Sequence, residues 1–247
     1  MAITVSSLAA SSLASSQAGA RSGVEPAAQA FQKADKRIQQ QRELAAVQLS
    51  SFGKVKSAFA DVETAAAALS DSKQSANLAG IRKLAGNFVK AFNGAVQEAR
   101  SAAAQPGSAV EGSQARTAES DLRRSVGTDA ALADLRRIGI TPQPNGTLAI
   151  DSNAVDSALS ADSGAVASAL SSVGQQVERT TAAQLADGGN VGKTVNAPSE
   201  RAGSLETRQA DQQALAAAAR QTVSAQADRF NESQNSGAAA YQRVFSL

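Results

Sequence analysis

The chain has 247 residues, 43% of them hydrophobic, with 24 basic and 22 acidic side chains and a formal net charge of +2. It holds no Cys and no His, which excludes disulfides, thiolate nucleophiles, iron–sulfur clusters and Cys-type zinc sites, and removes the commonest general base and transition-metal ligand. With 3% aromatic residues and no block of like charges it carries neither a base-stacking platform nor a nucleic-acid arm, and no apolar run reaches the roughly 18 residues that suggest a membrane span.

The opening stretch, MAITVSSLAASSLASSQAGAR, has no charge before Arg21 and alternates Ser with Ala. It lacks the basic flank and solid apolar core of a secretory signal. Residues 1–26 therefore read as a weakly structured polar segment. From residue 27 the pattern becomes helical, with Pro26 suited to an early helical position. Phe31, Ile38, Ala45, Phe52, Phe59 and Ala66 stand seven apart, and Val55, Val62 and Leu69 follow three residues after the later members. This is a heptad seam, weakened in its first half by Gln41 and Gln48. At roughly 1.5 Å per residue, a helix over 27–70 would be about 60 Å long, too long for a small globule to cover. The spacing thus predicts an extended, coiled-coil-like arm.

A polar break at Asp71–Asn77 leads to a second helix with Ile81, Leu84, Phe88, Phe92, Ala95 and Val96 on one side. Gln105-Pro106-Gly107 ends it. Short helices are expected at Thr117–Val126 and Asp129–Arg137. Then RIGITPQPNGTLAID, Arg137–Asp151, alternates Ile138, Ile140, Leu148 and Ile150 around Asn145-Gly146. That predicts a β-hairpin closed by a two-residue Asn145-Gly146 turn with both residues at positive φ. Pro142 and Pro144 confine it to a short edge hairpin. Asp151 caps a helix carrying Val155, Ala158 and Leu159, and Asp162 or Ser163 caps another carrying Val166, Ala169, Leu170 and Val173. Residues 187–203 are Gly-rich and aperiodic, which predicts a flexible loop. The last stretch, 204–247, is helical again, with Val223, Phe230, Gly237 and Val244 seven apart and Leu215 and Tyr241 nearby. Two long helices at opposite chain ends suggest that the ends pair, so 27–70 with 204–247 form the arm and 78–186 a compact unit containing hairpin 137–151.

Little chemistry can be assembled from what remains. GGNVGKT, Gly188–Thr194, falls short of a phosphate-binding loop, because the position five before Gly192 is Asp187 instead of Gly. Asp151 and Asp156 suit a cap and a solvated helix face better than an acid–base pair. No carboxylate cluster has calcium-loop spacing. The expectation is a non-enzyme with no catalytic residue, cofactor or metal.

Two stretches resemble a known family. QLSSFGKVKSAFADVETAAAALSD, Gln48–Asp71, is similar to its N-terminal helix. FVKAFNGAV, Phe88–Val96, followed by LADLRRIGITPQPNGTLAIDSNAVDSALSADSGAVASAL, Leu132–Leu170, is similar to its Asn-containing helix and its hairpin-plus-helices unit. The family is that of the bacterial flagellar filament-capping protein, hook-associated protein 2. The chain resembles a reduced member, since only Asp71–Asn77 stands where the family carries β-rich plate domains. The last 70 residues depart from the family's charge-dense heptads and end in AAAYQRVFSL.

The resemblance implies a structural protein of the flagellar axis, exported unfolded by the flagellar type III route to an extracellular position. It would act by helix–helix oligomerisation with flagellin and hook-associated proteins, with an export chaperone as a further candidate partner. From another class, the chain could be a cytoplasmic helical module that regulates or chaperones flagellar export. The expected fold is mainly α, with long N- and C-terminal helices flanking a small α+β unit with one β-hairpin. Assembly is assigned to apolar knobs: Phe52, Val55, Phe59, Val62 and Leu69 on the first helix, and Phe230, Tyr241, Val244 and Phe245 near the C-terminus. Asn145 and Gly146 form the hairpin turn.

Overall fold

A computed structural model describes the backbone over 6–72, 77–105 and 109–245, and side-chain surroundings over 29–72, 77–105, 109–240 and 243. Its elements are α1 (Ser6–Ser70), α2 (Leu78–Ala103), α3 (Ala109–Val126), α4 (Asp129–Ile138), β1 (Ile140–Pro142), β2 (Leu148–Ile150), α5 (Ser152–Leu185) and α6 (Asn190–Phe245). The fold is mainly α with one antiparallel hairpin, as the sequence predicts. The chain divides into two compact units, one of residues 1–43 with 203–247 and one of 44–202.

The unit of 44–202 holds one continuous apolar core. Ile81, Phe88, Val89, Phe92, Ala95 and Val96 bury the inner stripe of α2, and the rings of Phe88 and Phe92 lie tilted with centroids 6.0 Å apart. Leu122 of α3, Leu135 and Ile138 of α4, and Val155, Leu170 and Val173 of α5 complete it. The boundary at Leu44 differs from the sequence expectation of a separate arm over 27–70. Phe52, Val55, Phe59, Val62 and Leu69 are fully buried within this core. A heptad seam needs a facing apolar surface, and the chain's own compact unit supplies it.

The contact of α1 with α5 is unusually close. A Cβ placed on Gly174 would lie 2.6 Å from the Ala66 carbonyl oxygen and 2.7 Å from the Ser70 nitrogen. Glycine is required there because two helix backbones meet. Hydroxyls fasten the same contact: Ser171 Oγ donates to the Ser70 carbonyl at 2.7 Å, and Ser72 Oγ to the Ala167 carbonyl at 2.9 Å.

Several elements differ from their predicted bounds. Helix α3 begins at Ala109 instead of Thr117, because buried Ala115 and Ala118 give its first half a small-residue inner face. Helix α5 spans both expected helices. Asp162 sits between them with extended backbone (φ −156°) and accepts from the Ala165 N–H at 2.8 Å, so it caps the second segment. The expected loop over 187–203 is a turn only as far as Gly189, and α6 starts at Asn190. Val191, Thr194 and Pro198 are buried and Val195 half-buried, a helical i, i+3, i+4, i+7 stripe. The polar segment expected over 1–26 has its side chains outside the described residues, while the backbone of α1 is helical from Ser6.

The hairpin pairs Ile140 with Ile150, Thr141 with Ala149 and Pro142 with Leu148. Ladder bonds run from Gln143 N to Thr147 O at 2.8 Å and from Asp151 N to Gly139 O at 2.9 Å. By alternation, Pro142 and Leu148 form a non-hydrogen-bonded pair, where the missing proline N–H does no harm. The connection is longer than the predicted two-residue turn. Gly146 N donates to Gln143 O at 2.8 Å, and among the described non-glycine residues none has positive φ, so Asn145 keeps a negative φ while Gly146 takes φ +77°. Pro144 fixes the second position of a four-residue turn and only Gly146 needs left-handed backbone. The Asn145 Oδ1 instead accepts from Thr147 N at 3.1 Å and Thr147 Oγ1 at 2.7 Å.

On the outer edge of β2, Asn93 of α2 acts as a third strand would. Its Nδ2 donates to the Leu148 carbonyl at 2.8 Å, and its Oδ1 accepts from the Leu148 N–H at 2.7 Å. A side-chain amide carries a donor and an acceptor side by side, so it satisfies both at once.

Four substitutions should change stability. Asn93→Leu leaves both backbone groups of Leu148 unsatisfied and should destabilise the chain by about 2–4 kcal/mol in denaturant titration. Gly174→Ala should cost about 1–3 kcal/mol by forcing α1 from α5, read the same way. At the turn, Gly146→Val should cost about 1–3 kcal/mol, and Asn145→Gly, which deletes the cap on Thr147, about 1 kcal/mol; a silent Asn145→Gly would mean that the side-chain cap is unimportant.

Candidate assembly surfaces and a polar cleft

The nine residues assigned to assembly from sequence fall into three groups. Phe52, Val55, Phe59, Val62 and Leu69 are 0% exposed, so they offer no surface to a partner and act as core. Phe230 of α6 is 41% exposed. The side chains of Tyr241, Val244 and Phe245 lie outside the described residues. Asn145 and Gly146 form the turn, with Gly146 buried beneath Arg123, whose Cδ lies 2.8 Å from where a Gly146 Cβ would be.

In the unit of 1–43 with 203–247, Ile38 and Leu205 are buried, and Arg42 hydrogen-bonds Gln209 and reaches Glu206 at 3.2 Å. Beyond these, α6 presents Leu215, Val223 and Phe230, all exposed. Their spacings of eight and seven place them within one narrow stripe of a helix. Periodicity around Val223 and Phe230 pointed to this stripe, although Leu215 was not among the assigned residues.

Sequence reasoning missed the polar ties inside the unit of 44–202. The Glu111 carboxylate of α3 is nearly buried and accepts from Arg201 of α6 at 2.8 Å, while Arg201 also donates to Gln48 of α1 at 3.1 Å. One guanidinium thus links three helices. Glu119, also buried, pairs with Arg100 at 2.7 Å and Arg123 at 3.6 Å. Arg82 bridges Asp156, whose hydrogen bond raises the guanidinium pKa above its ordinary value. Apart from the i, i+4 pair of Glu119 and Arg123, these partners stand too far apart in sequence for a local pattern to disclose them.

The Gly188–Thr194 segment has its amides engaged in ordinary structure: Gly189 N donates to Ala186 O at 2.8 Å and Lys193 N to Gly189 O at 3.0 Å. It opens a helix and makes no phosphate cradle. Among the described residues, no group of three or more His, Cys, Asp or Glu is placed to hold a metal, and no helix is long and apolar enough to cross a membrane.

An open cleft of about 440 Å³ lies where the end of α3 and the start of α4 meet α5. It is lined among others by Asp121, Arg124, Thr128, Gln176, Arg179 and Gln184. Asp121 accepts from Arg124 at 2.9 Å and from Gln184 at 3.0 Å. Arg179 donates to the neutral amide of Gln176 at 3.1 Å.

No curated protein and no solved structure matches the chain. A family model does, that of the flagellar hook-associated protein 2 C-terminus, over residues 71–246. The match begins where α1 ends and takes in α2, the hairpin, α5 and α6. It therefore takes in residues 178–246, where the sequence alone suggested a departure from the family, and leaves out all but the final residue of the likeness at Gln48–Asp71. On that match, the chain belongs to the flagellar hook-associated protein 2 family.

Proposed function

We propose that this chain is a structural component of the flagellar axis, resembling the filament cap, that assembles through the exposed stripe of α6 with flagellin or hook-associated proteins and with copies of itself. The observation that carries the reading is the combination of family membership with Leu215, Val223 and Phe230 left exposed along one helix face. A lone exposed apolar side chain needs no explanation, but a helical stripe of three suits packing against a second helix. Tyr241, Val244 and Phe245 extend the same proposal toward the C-terminus. The buried seam Phe52–Leu69 contributes indirectly, by holding α1 in place. Export by the flagellar type III route, to an extracellular position on the flagellum, belongs to the same proposal, with an export chaperone as the transient partner.

Replacing Leu215 and Phe230 together by Asp tests it. Both sites are exposed, so thermal and denaturant unfolding of the purified chain should change by no more than about 0.5 kcal/mol per site. Association with purified filaments in cosedimentation should fall about tenfold or more, because a carboxylate without a partner is costly in a helix–helix interface. Undiminished cosedimentation would overturn the α6 assignment. Retention of the wild-type chain in the cytoplasm of an export-competent cell would overturn the axial reading itself.

A further inference from the structure

We infer that the cleft between the α3–α4 junction and α5 is a docking site for a carboxylate-bearing peptide segment, an acidic stretch of a partner chain. This deepens the axial reading by naming the chemistry of one partner contact, and it rests on that reading for the partner's identity.

The hydrogen-bond capacity of the cleft is unbalanced. Asp121 is the carboxylate in its lining, and both oxygens are engaged, one by Arg124 and one by Gln184. Gln184 in turn accepts from Asn190 at 3.1 Å, so its amide is satisfied at both ends. The hydroxyls of Ser125 and Thr180 donate to the helix carbonyls of Leu122 and Gln176. Thr128 Oγ1 accepts from the Ala131 N–H as the cap of α4. What remains unfilled is donor capacity. The Arg124 side chain is 74% exposed and uses one of its nitrogens on Asp121. Arg179 faces only a neutral amide. Two guanidiniums against one saturated carboxylate leave a net positive site with unfilled N–H donors.

Guanidinium forks match planar carboxylates in geometry and charge. A single small anion would leave most of a cleft of about 440 Å³ unfilled, whereas that volume takes a few residues of chain. The open mouth suits a segment laid across the surface. Charge, donor surplus and size together favour an acidic peptide over a free ion.

The test uses the full chain and a fluorescein-labelled hexaglutamate peptide, with a hexaserine peptide as reference, followed by fluorescence anisotropy. Saturable binding to hexaglutamate is expected, weakening as salt is raised. Arg124→Gln with Arg179→Gln should weaken it about tenfold or more. Arg136→Gln with Lys83→Gln, which removes the same charge at exposed residues of the same unit that do not line the cleft, should leave it within about twofold. Arg179→Lys keeps the charge and guards against misfolding; it should retain part of the binding with an unchanged melting temperature. Equal loss in the two double variants would reduce the effect to net charge and overturn the site. Full displacement of the peptide by inorganic phosphate at equal ionic strength would make it a free-anion site and overturn the peptide reading. Should peptide binding fail while filament association persists, the cleft assignment falls alone. Should peptide binding hold while filament association is absent, the axial reading falls instead.

Discussion

The side-chain amide of Asn93 is the fastening on which the compact unit depends. A two-stranded hairpin of three-residue strands is too small to hold its shape in water. Its inner face, Ile140 and Leu148, is buried, but burial alone does not satisfy the outward backbone of Leu148. Asn93 supplies the missing donor and acceptor from a helix, with two short hydrogen bonds. In doing so it fixes hairpin to α2, and through the hairpin it fixes both neighbours in sequence. Helix α4 ends directly before β1, and α5 is capped by Asp151 directly after β2. One amide therefore ties α2 to the hairpin that joins α4 and α5.

Much of this unit was legible in sequence. The stripe from Ile81 to Val96 is strongly periodic and unbroken, so helix and inner face could both be read. Alternation from Ile138 to Ile150 disclosed the hairpin, and Asp151 and Thr128 are ordinary cap residues. What periodicity could not give was the identity of the facing surface. Phe52, Val55, Phe59, Val62 and Leu69 look the same whether they face a second chain or their own core. The long reach of a helix over 27–70 argued for the former, but the burial of its second half within the unit of 44–202 shows the latter.

The other misreadings share a cause. In 190–202 the helical stripe is written with Val191, Thr194, Val195 and Pro198, two of which are residue types that ordinarily signal loops. Gly188 and Gly189 before them are true turn residues, and their signal spilled over its neighbours. At Gln143–Thr147, Pro144 overrode the Asn-Gly signature by fixing φ one residue earlier. The ties of Arg201 to Glu111 and Gln48 span 90 and 153 residues, beyond any local pattern. The cleft is likewise a property of the fold, since its arginines stand far apart in sequence.

The make-up of the first unit, residues 1–43 with 203–247, bears on timing. Its two halves are separated by the whole of 44–202, so in any process that delivers a polypeptide from its N-terminus the half before residue 44 appears well before the half after residue 202. Loop closure between them spans the whole intervening sequence, the slowest kind of contact to form. The unit of 44–202, built largely from neighbouring elements, can be complete while Ile38 and Arg42 still lack Leu205, Glu206 and Gln209. For that interval the early half of the unit is an unpaired helix face, and whatever binds it then competes directly with the chain's own tail.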